Sequence, residues 1–277
     1  MLWRNKFSTS KRASDVPARP AAAARDKRLE AAIADDRIVI RFQPQIEPAS
    51  GRIVGVEALA RWADVASPEA LFARAAAAGL SERLSRTIQR KALRLAGQWS
   101  GELGKLRLSL NILPQDLDRP GFESWLIEEM RRAGVDPARV TVEIIESALL
   151  SDRPAVAARL TYLRDHGVQI AVDDFGTGYA NLVYLTSLPL DAIKIDRAMV
   201  ADLVGRERDR IVVKAMMAMA RELGLKVVVE GVESVAQLDL IAGWGCDLYQ
   251  GFLGAGALDV AELARFVATS NALADAA

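Results

Sequence analysis

The stretch QIAVDDFGTGY, residues 169–179, decides the fold. An apolar run ends at Asp173 and Asp174, and a glycine-rich turn follows, a pattern typical of a buried strand that leads into a polar loop. Two neighbouring carboxylates repel each other, and burial raises the free-energy cost of ionising either one. A nearby cation would remove this cost, and the rest of the chain decides whether one is expected.

Outside this stretch, short β-rich runs alternate with longer helical ones, such as residues 84–99 and 210–224. The strand candidates are 38–44, 53–59, 106–112, 140–145, 169–174, 192–196, 226–231 and 248–252. Strands that alternate with helices favour a parallel sheet, and eight of them predict an α/β fold of the (β/α)8 TIM-barrel type. An open doubly wound sheet is the alternative, although the sequence contains no GxGxxG or Walker A loop to support it.

Polar residues occur at or near the ends of seven of these runs. They are Glu57, Asn111, Glu143, Asp173, Asp174, Lys194, Glu230 and Gln250. A single acid at a strand end usually faces solvent, but in a barrel all these ends converge on one mouth, where active sites lie. Oxygen ligands without histidine or thiolate favour Mg²⁺ or Mn²⁺, and one of the two neighbouring aspartates could bridge two such ions.

The composition excludes several classes of site and of partner. With one histidine, His166, and one cysteine, Cys246, the 277 residues cannot build a histidine-rich zinc site, a Ser-His-Asp triad or an internal disulfide. His166 precedes Gly167 at a predicted helix end, and the single thiol favours a reducing compartment, the cytoplasm. A net charge of zero gives no reason to expect a nucleic acid polymer as partner.

The first residues differ in composition from the remainder. Residues 1–28 are basic and lack the apolar core of a secretory signal, and the chain contains no run of about 18 apolar residues that would predict a membrane span. We expect residues 1–30 to form a disordered lead-in or linker, and residues 31–277 to form the barrel domain.

Eight ordered motifs then identify a family resemblance. The segment VEALARW (56–62) is similar to the EAL motif of bacterial cyclic-di-GMP phosphodiesterases. The others are FQPQIEPASGRIVG, LSLNI, VEIIES, VDDFGTGY, LPLDAIKID, VVVEGVES and GCDLYQGF, in the family's order over about residues 36–265. The resemblance implies a modified barrel whose first strand is antiparallel to the others, and two-metal hydrolysis of cyclic di-GMP to linear pGpG.

The resemblance also implies a role for each matching position. Glu57, Asn111, Glu143 and Asp173 would hold the first ion, and Asp173, Asp174 and Glu230 the second. Lys194 would orient the attacking water, Glu230 would accept its proton, and Gln250 and Glu146 would support the ligands. Gln43, Arg61, Glu233 and Tyr249 would contact the dinucleotide.

Several of these positions have simpler interpretations. Lys194 could pair with Asp196 on the surface, Arg61 and Trp62 could form a surface cation–π pair, and Tyr249 could be ordinary core packing. Glu146 and Glu233 could be partners of loops rather than contacts to ligands.

The sequence also departs from the family pattern at Ala76, Ala77, Leu113, Ile145, Ala180 and Asn181. None of these positions is an expected metal ligand, although Ile145 and Ala180 could loosen the loop to which Asp174 is expected to belong.

Three functions remain open at this point. The first is an active phosphodiesterase, the second is a cyclic-di-GMP receptor with little or no turnover, and the third is an unrelated barrel lyase or enolase-type enzyme with Lys194 as base. The complete set of ligands favours the first, and the order of motifs argues against the third. The resemblance further implies a homodimer through helices near the loop at 173–179, and allows an upstream sensory domain or partner protein.

Overall fold

The structure is a computed structural model and describes residues 25–145, 153–176 and 183–276. Its strands are β1 Val39–Ile46, β2 Ile53–Arg61, β3 Arg107–Ile112, β4 Val140–Ile145, β5 Gln169–Phe175, β6 Ala192–Ile195, β7 Lys226–Val229 and β8 Leu248–Tyr249. Its α-helices are α1 Lys27–Ala34, α2 Pro68–Ala77, α3 Ser81–Gly97, α4 Pro114–Asp118, α5 Phe122–Ala133, α6 Arg153–Asp165, α7 Val183–Ser187, α8 Arg197–Val200, α9 Glu207–Glu222, α10 Val235–Gly243 and α11 Val260–Ala276. Two 3₁₀ turns, Leu103–Lys105 and Pro137–Arg139, precede β3 and β4.

The eight strands form a closed barrel in sequence order, which confirms the predicted fold class. Strand β1 is antiparallel to both β2 and β8, and every other pair is parallel, as the family resemblance implied. The open doubly wound sheet is therefore wrong. Strands β6 and β7 are short and mostly buried, with Lys194 the one charged residue among the buried positions of the two, as expected for parallel strands covered by helices.

Three site residues lie elsewhere on their strands than the sequence predicted. Glu57 lies in the middle of β2, because pairing with β1 extends that strand to Arg61. Glu230 and Gln250 lie one residue beyond β7 and β8. Their backbone N–H groups still donate to the neighbouring strands, Glu230 to Ile195 O at 3.0 Å and Gln250 to Val229 O at 2.9 Å. The next residue is glycine in both places, and its positive φ turns the chain away from the barrel wall.

The pair Asp173–Asp174 corrects a second expectation. We predicted that these residues begin a loop, but β5 continues to Phe175, with an irregularity in its pairing with β6 between Val172 and Phe175. Asp174 has φ 56°, a left-handed conformation that a short polar side chain adopts more readily than most. The resulting bulge breaks the alternation of the strand, so that both carboxylates reach the same acidic group.

The helices surround the barrel, and the first of them corrects the predicted lead-in. Residues 27–30 belong to α1, whose N-terminus is capped by Asp26 and whose Leu29, Ala32 and Ile33 are buried, so the boundary at residue 30 falls inside a helix. An apolar stripe was sufficient to order this basic segment. Residues 1–24 of the predicted lead-in lie outside the described residues. None of the helices in the described ranges has the length and apolarity needed to cross a bilayer.

The predicted helix ends agree with the structure at two positions. His166 follows the last residue of α6, its Nδ1 lies 2.8 Å from Tyr162 O, and its ring stacks on Tyr162 with 4.2 Å between centroids. Gly224 follows α9 with φ 72°.

On the outside of the barrel, three arginines surround one indole between α3 and α5. The guanidinium carbons of Arg86, Arg90 and Arg119 lie 5.1, 5.4 and 5.5 Å from the Trp125 ring centroid. We call these three residues the arginine cluster.

Candidate active site

Polar side chains from seven strands meet inside the barrel. Glu57, Glu143, Asp173, Lys194 and Gln250 are all less than 9% exposed, although each is charged or strongly polar. Such burial is rare unless each group has a partner. The sequence prediction that these strands converge on one polar group is confirmed.

Lys194 is at the centre of the group. Its Nζ lies 3.3 Å from Glu57 Oε2, 2.9 Å from Glu143 Oε2, 3.0 Å from Asp173 Oδ1 and 2.6 Å from Glu230 Oε1. The side chain is 1% exposed, so the alternative of a surface pair with Asp196 is wrong. Asp196 instead caps α8 by accepting from Ala198 N at 2.8 Å.

Two amides bind the same carboxylates. Gln250 Nε2 donates to Glu57 Oε2 at 2.7 Å and to Glu230 Oε1 at 2.9 Å. Asn111 Nδ2 donates to Glu57 Oε1 at 2.7 Å. Glu57 therefore receives hydrogen bonds on both oxygens, and Gln250 connects two acids that come from opposite ends of the sequence.

The acids form two overlapping sets of oxygen ligands. Ligand oxygens of Glu57, Glu143 and Asp173 lie within 4.8 Å of one another, and so do those of Asp173, Asp174 and Glu230. Asp173 belongs to both sets, and its role as a bridging ligand stays a prediction. We call the five acids the carboxylate cluster. The donors are all oxygens, which fits hard divalent cations such as Mg²⁺ or Mn²⁺.

Charge balance gives an independent reason to expect cations. Four carboxylates share the one ammonium of Lys194, so these groups have three negative charges in excess when fully ionised. Divalent cations would offset this excess. Buried like charges without such compensation would instead take up protons.

The directions in which the pKa values of the buried acids and of Lys194 are shifted indicate the same shortage of positive charge. Burial raises the pKa of Glu143 well above its ordinary value, and burial raises the pKa of Glu230 to about 8. Burial acts against Glu57 as well, but the charge of Lys194 and hydrogen bonds from both amides hold its pKa below the ordinary value. Burial would lower the pKa of Lys194, yet the four carboxylates raise it well above normal, so the ammonium stays charged.

Asp174 is on the solvent side of the cluster. Its side chain is exposed, whereas that of Asp173 is 8% exposed. Partial burial raises the pKa of Asp174, and the charges of Asp173 and Asp196 add to this effect. Asp196 therefore influences the site through its charge, a role that the sequence analysis missed.

The residues expected to contact substrate are spread around this group. Gln43 is paired with Glu57 across the β1–β2 ladder, so both side chains share one face, and Gln43 Nε2 donates to Ala255 O at 3.3 Å. Arg61 ends β2 and its Nη1 donates to Ala60 O at 2.9 Å. Tyr249 is 7% exposed, and Glu233 is exposed. These four contacts to substrate stay predictions.

The structure decides one of the simpler interpretations given above, the surface pair of Arg61 and Trp62. Trp62 is buried and the Arg74 guanidinium lies 4.7 Å from its ring centroid, so a surface pair between Arg61 and Trp62 is wrong. Glu146, Ala180 and Asn181 lie outside the described residues.

A polar layer beneath the carboxylate cluster was also missed. Gln45 and Ser109 are 4% and 2% exposed, and Gln45 Nε2 lies 3.4 Å from Ser109 Oγ and 3.4 Å from Gln250 Oε1. The signal was present in the sequence: Gln43 and Gln45 are two residues apart, and so are Ser109 and Asn111, so each pair shares one face of its strand.

The chain is similar to known proteins in both its sequence and its fold. The model of the EAL domain matches residues 26–257. The chain is 36% identical over 216 residues to the cyclic di-GMP phosphodiesterase PA2567 of Pseudomonas aeruginosa, covering 76% of this chain and 37% of that protein. It is 34% identical over 252 residues to the cyclic di-GMP phosphodiesterase NbdA of the same organism, covering 87% and 32%. The chain thus spans about a third of the length of these relatives.

Two solved structures have a similar fold and more than 30% sequence identity to this chain. A PaMucR phosphodiesterase in complex with c-di-GMP has a TM-score of 0.80 and 31% identity, covering 85% of this chain and 97% of that one. Klebsiella pneumoniae BlrP1, in a complex with manganese and cy-diGMP, has a TM-score of 0.73 and 33% identity, covering 80% and 56%.

Proposed function

The chain belongs to the EAL domain family, and from this premise we propose that it is a metal-dependent phosphodiesterase that hydrolyses cyclic di-GMP to linear pGpG. One observation carries the proposal. Four carboxylates share one buried ammonium and their oxygens belong to two overlapping sets of possible metal ligands, so divalent cations would offset the excess negative charge. The names of the relatives supply the substrate class, and the geometry supplies the reason for metal dependence.

The residues divide into groups with separate tasks. Glu57, Asn111, Glu143 and Asp173 would hold one ion, and Asp173, Asp174 and Glu230 the other. Bound divalent ions supply acidification of water and stabilisation of negative charge on a phosphate. In the net reaction a water oxygen attaches to phosphorus, one phosphodiester P–O bond breaks, and the released ribose oxygen ends as a hydroxyl.

The chain's own groups orient and balance this chemistry. Lys194 keeps four carboxylates together and remains charged, so it can offset negative charge that grows on the phosphate oxygens. Glu230 contacts both Lys194 and Gln250, so its carboxylate is held where it could accept a proton from the attacking water. The forked donors of Arg61 match a phosphate, and Gln43, Glu233 and Tyr249 would contact the dinucleotide.

The proposed assembly is a homodimer. Helix α9 lies next to the end of β5, the strand that carries Asp174. A Cβ added to Gly176 would lie only 2.8 Å from Met216 Cε, which shows how closely the two pack. The same helix exposes Ile211 and Val212, 61% and 45% accessible. Their exposure supports a second copy on this face. A sensory domain or partner, and the cytoplasm as location, remain predictions.

Incubation with cyclic di-GMP and chromatography of the products tests the function. We expect pGpG in Mg²⁺ or Mn²⁺, and none in EDTA or with Glu57→Ala. The matched control is Glu222→Ala, an exposed acid at the end of α9, which should keep wild-type turnover. Intact substrate with metal present, together with binding measured by calorimetry, would instead identify a receptor. Near-normal turnover by Glu57→Ala would contradict the metal assignment.

A further inference from the structure

A buried amide beneath the carboxylate cluster has a specific place. Gln45 is on β1, is 4% exposed and points into a barrel interior that is usually filled by branched apolar side chains. An amide in such a place costs free energy unless its polar atoms have partners. The contacts of Gln45 therefore indicate what it does there.

Gln45 donates towards the amide oxygen of Gln250, which faces away from the acids. Gln250 Nε2 donates to Glu57 and Glu230, at 2.7 and 2.9 Å, so the other end of its amide, Oε1, is directed elsewhere. Gln45 Nε2 lies 3.4 Å from that oxygen. If the Gln250 amide rotated by 180°, its oxygen would face two carboxylates and its NH₂ would face the NH₂ of Gln45. The Gln45 donor thus opposes the wrong orientation.

We propose that Gln45 is a positioning residue that fixes the amide orientation of Gln250 and, through it, the separation of Glu57 and Glu230. The inference rests on the proposed function, in which Glu57 and Glu230 belong to different ion sites. An amide that binds one acid from each site sets their spacing. Chains of buried hydrogen bonds of this kind orient metal ligands from behind.

The space for Gln45 is provided by a glycine on the neighbouring strand. Gly55 is paired with Gln45 in the β1–β2 ladder, and a Cβ at Gly55 would lie 2.8 Å from Gln45 Oε1. The φ of Gly55 is not positive, so its backbone conformation does not call for glycine, and an added Cβ would come within 3.0 Å only of the end of the Gln45 side chain. The missing Cβ therefore leaves the space in which the Gln45 amide lies.

The size of the effect follows from the geometry. Both contacts of Gln45 are long, 3.4 Å, so each contributes an orienting preference rather than a strong bond. Gln250 touches the acids directly, and its loss should weaken metal binding about 10- to 100-fold. Loss of one neutral hydrogen bond to Gln250 should weaken metal binding about three- to tenfold.

A double-mutant cycle with Gln45→Met and Gln250→Met tests the proposal. Methionine has nearly the volume of glutamine and no donor. Three quantities are measured: the affinity for Mn²⁺ without substrate, kcat with KM, and the melting temperature in EDTA. If Gln45 acts through Gln250, the double variant should lose no more Mn²⁺ affinity or kcat than Gln250→Met alone. The losses in melting temperature should likewise be less than additive, and KM should change less than twofold in Gln45→Met.

The controls separate positioning from packing. Ser109→Ala removes the other acceptor of Gln45, and its Mn²⁺ affinity should remain within twofold of wild type. Gly55→Ala displaces the end of Gln45 without removing the amide, and should also weaken Mn²⁺ binding. If Gln45→Met fails to fold, Gly55→Ala still tests the proposal.

Additive losses in the cycle, or a lower melting temperature with unchanged Mn²⁺ affinity and kcat, would overturn the proposal. Wild-type protein that binds Mn²⁺ without hydrolysing cyclic di-GMP would refute the proposed function alone. The cycle on affinity and melting temperature would then still decide the role of Gln45.

Discussion

The carboxylate cluster and the arginine cluster both crowd like charges, but they do so in opposite environments. Inside the barrel, four acids lie within 3.3 Å of one ammonium that is 1% exposed. Outside, three guanidinium groups lie more than 5 Å from the Trp125 centroid, and the side chain of Arg90 is 51% exposed. Each outer guanidinium pairs with a carboxylate, Arg86 and Arg119 with Glu82 and Arg90 with Glu129, whereas four inner acids share one ammonium. Loss of a partner should therefore destabilise the fold more in the carboxylate cluster than in the arginine cluster.

Removal of the central ammonium gives the largest expected effect. Lys194→Met should lose hydrolysis and, in EDTA near pH 8, should melt well below wild type, because several buried acids lose their common partner. Breaking a buried pair costs about 3–5 kcal/mol, roughly 6–20 °C for a domain of this size. Mn²⁺ should restore more of the melting temperature in Lys194→Met than in wild type. A wild-type melting temperature in EDTA would mean that Lys194 does not compensate the acids.

Cys246 tests whether burial, assisted by the negative charge of Asp247, keeps a thiol neutral. Burial raises the pKa of its thiol to about 12 from an ordinary 9.0, and its Sγ lies 2.8 Å from Leu248 O. The neutral thiol is the form that the fold favours. Stability from this group should be complete below about pH 9 and should fall as the pH rises towards 12.

The thiol should therefore resist modification. At pH 8 a shift of this size lowers the thiolate fraction about 1000-fold, so Ellman's reagent should react slowly with folded protein and rapidly in guanidinium chloride. Fast reaction under native conditions would show that the strand β8 opens readily.

Arg90→Met should give the smallest effect. Arg90 stacks on Trp125 and its Nη2 lies 2.9 Å from Glu129 Oε1, but the guanidinium is half exposed. Exposed cation–π and ion-pair contacts each contribute about 1 kcal/mol or less, so the melting temperature should change by a few degrees and turnover should not change. A loss as large as that of Lys194→Met would remove the distinction between the two clusters.

The sequence was most informative where one periodicity applied throughout an element. Alternation and turn residues predicted all eight strands, and the run of polar strand ends predicted that Glu57, Glu143, Asp173 and Lys194 meet. Local pattern could not reveal the bulge at Asp174, since a positive φ in a non-glycine residue depends on pairing with β6. It also missed Gln45, because a glutamine in a strand reads as solvent-facing until the barrel closes around it.

The reversed direction of β1 has a consequence for where the barrel unfolds locally. Strands β1 and β2 form a hairpin with eight paired positions, whereas β1 and β8 share a single one, Ile46 with Tyr249. Two further backbone bonds join Phe42 to Leu258. This seam connects segments some 200 residues apart, and the thin ladder makes it the place where local unfolding should begin. The Gln250–Glu57 bond crosses the same seam, so the contacts of the carboxylate cluster are complete only when β8 lies in place beside β1.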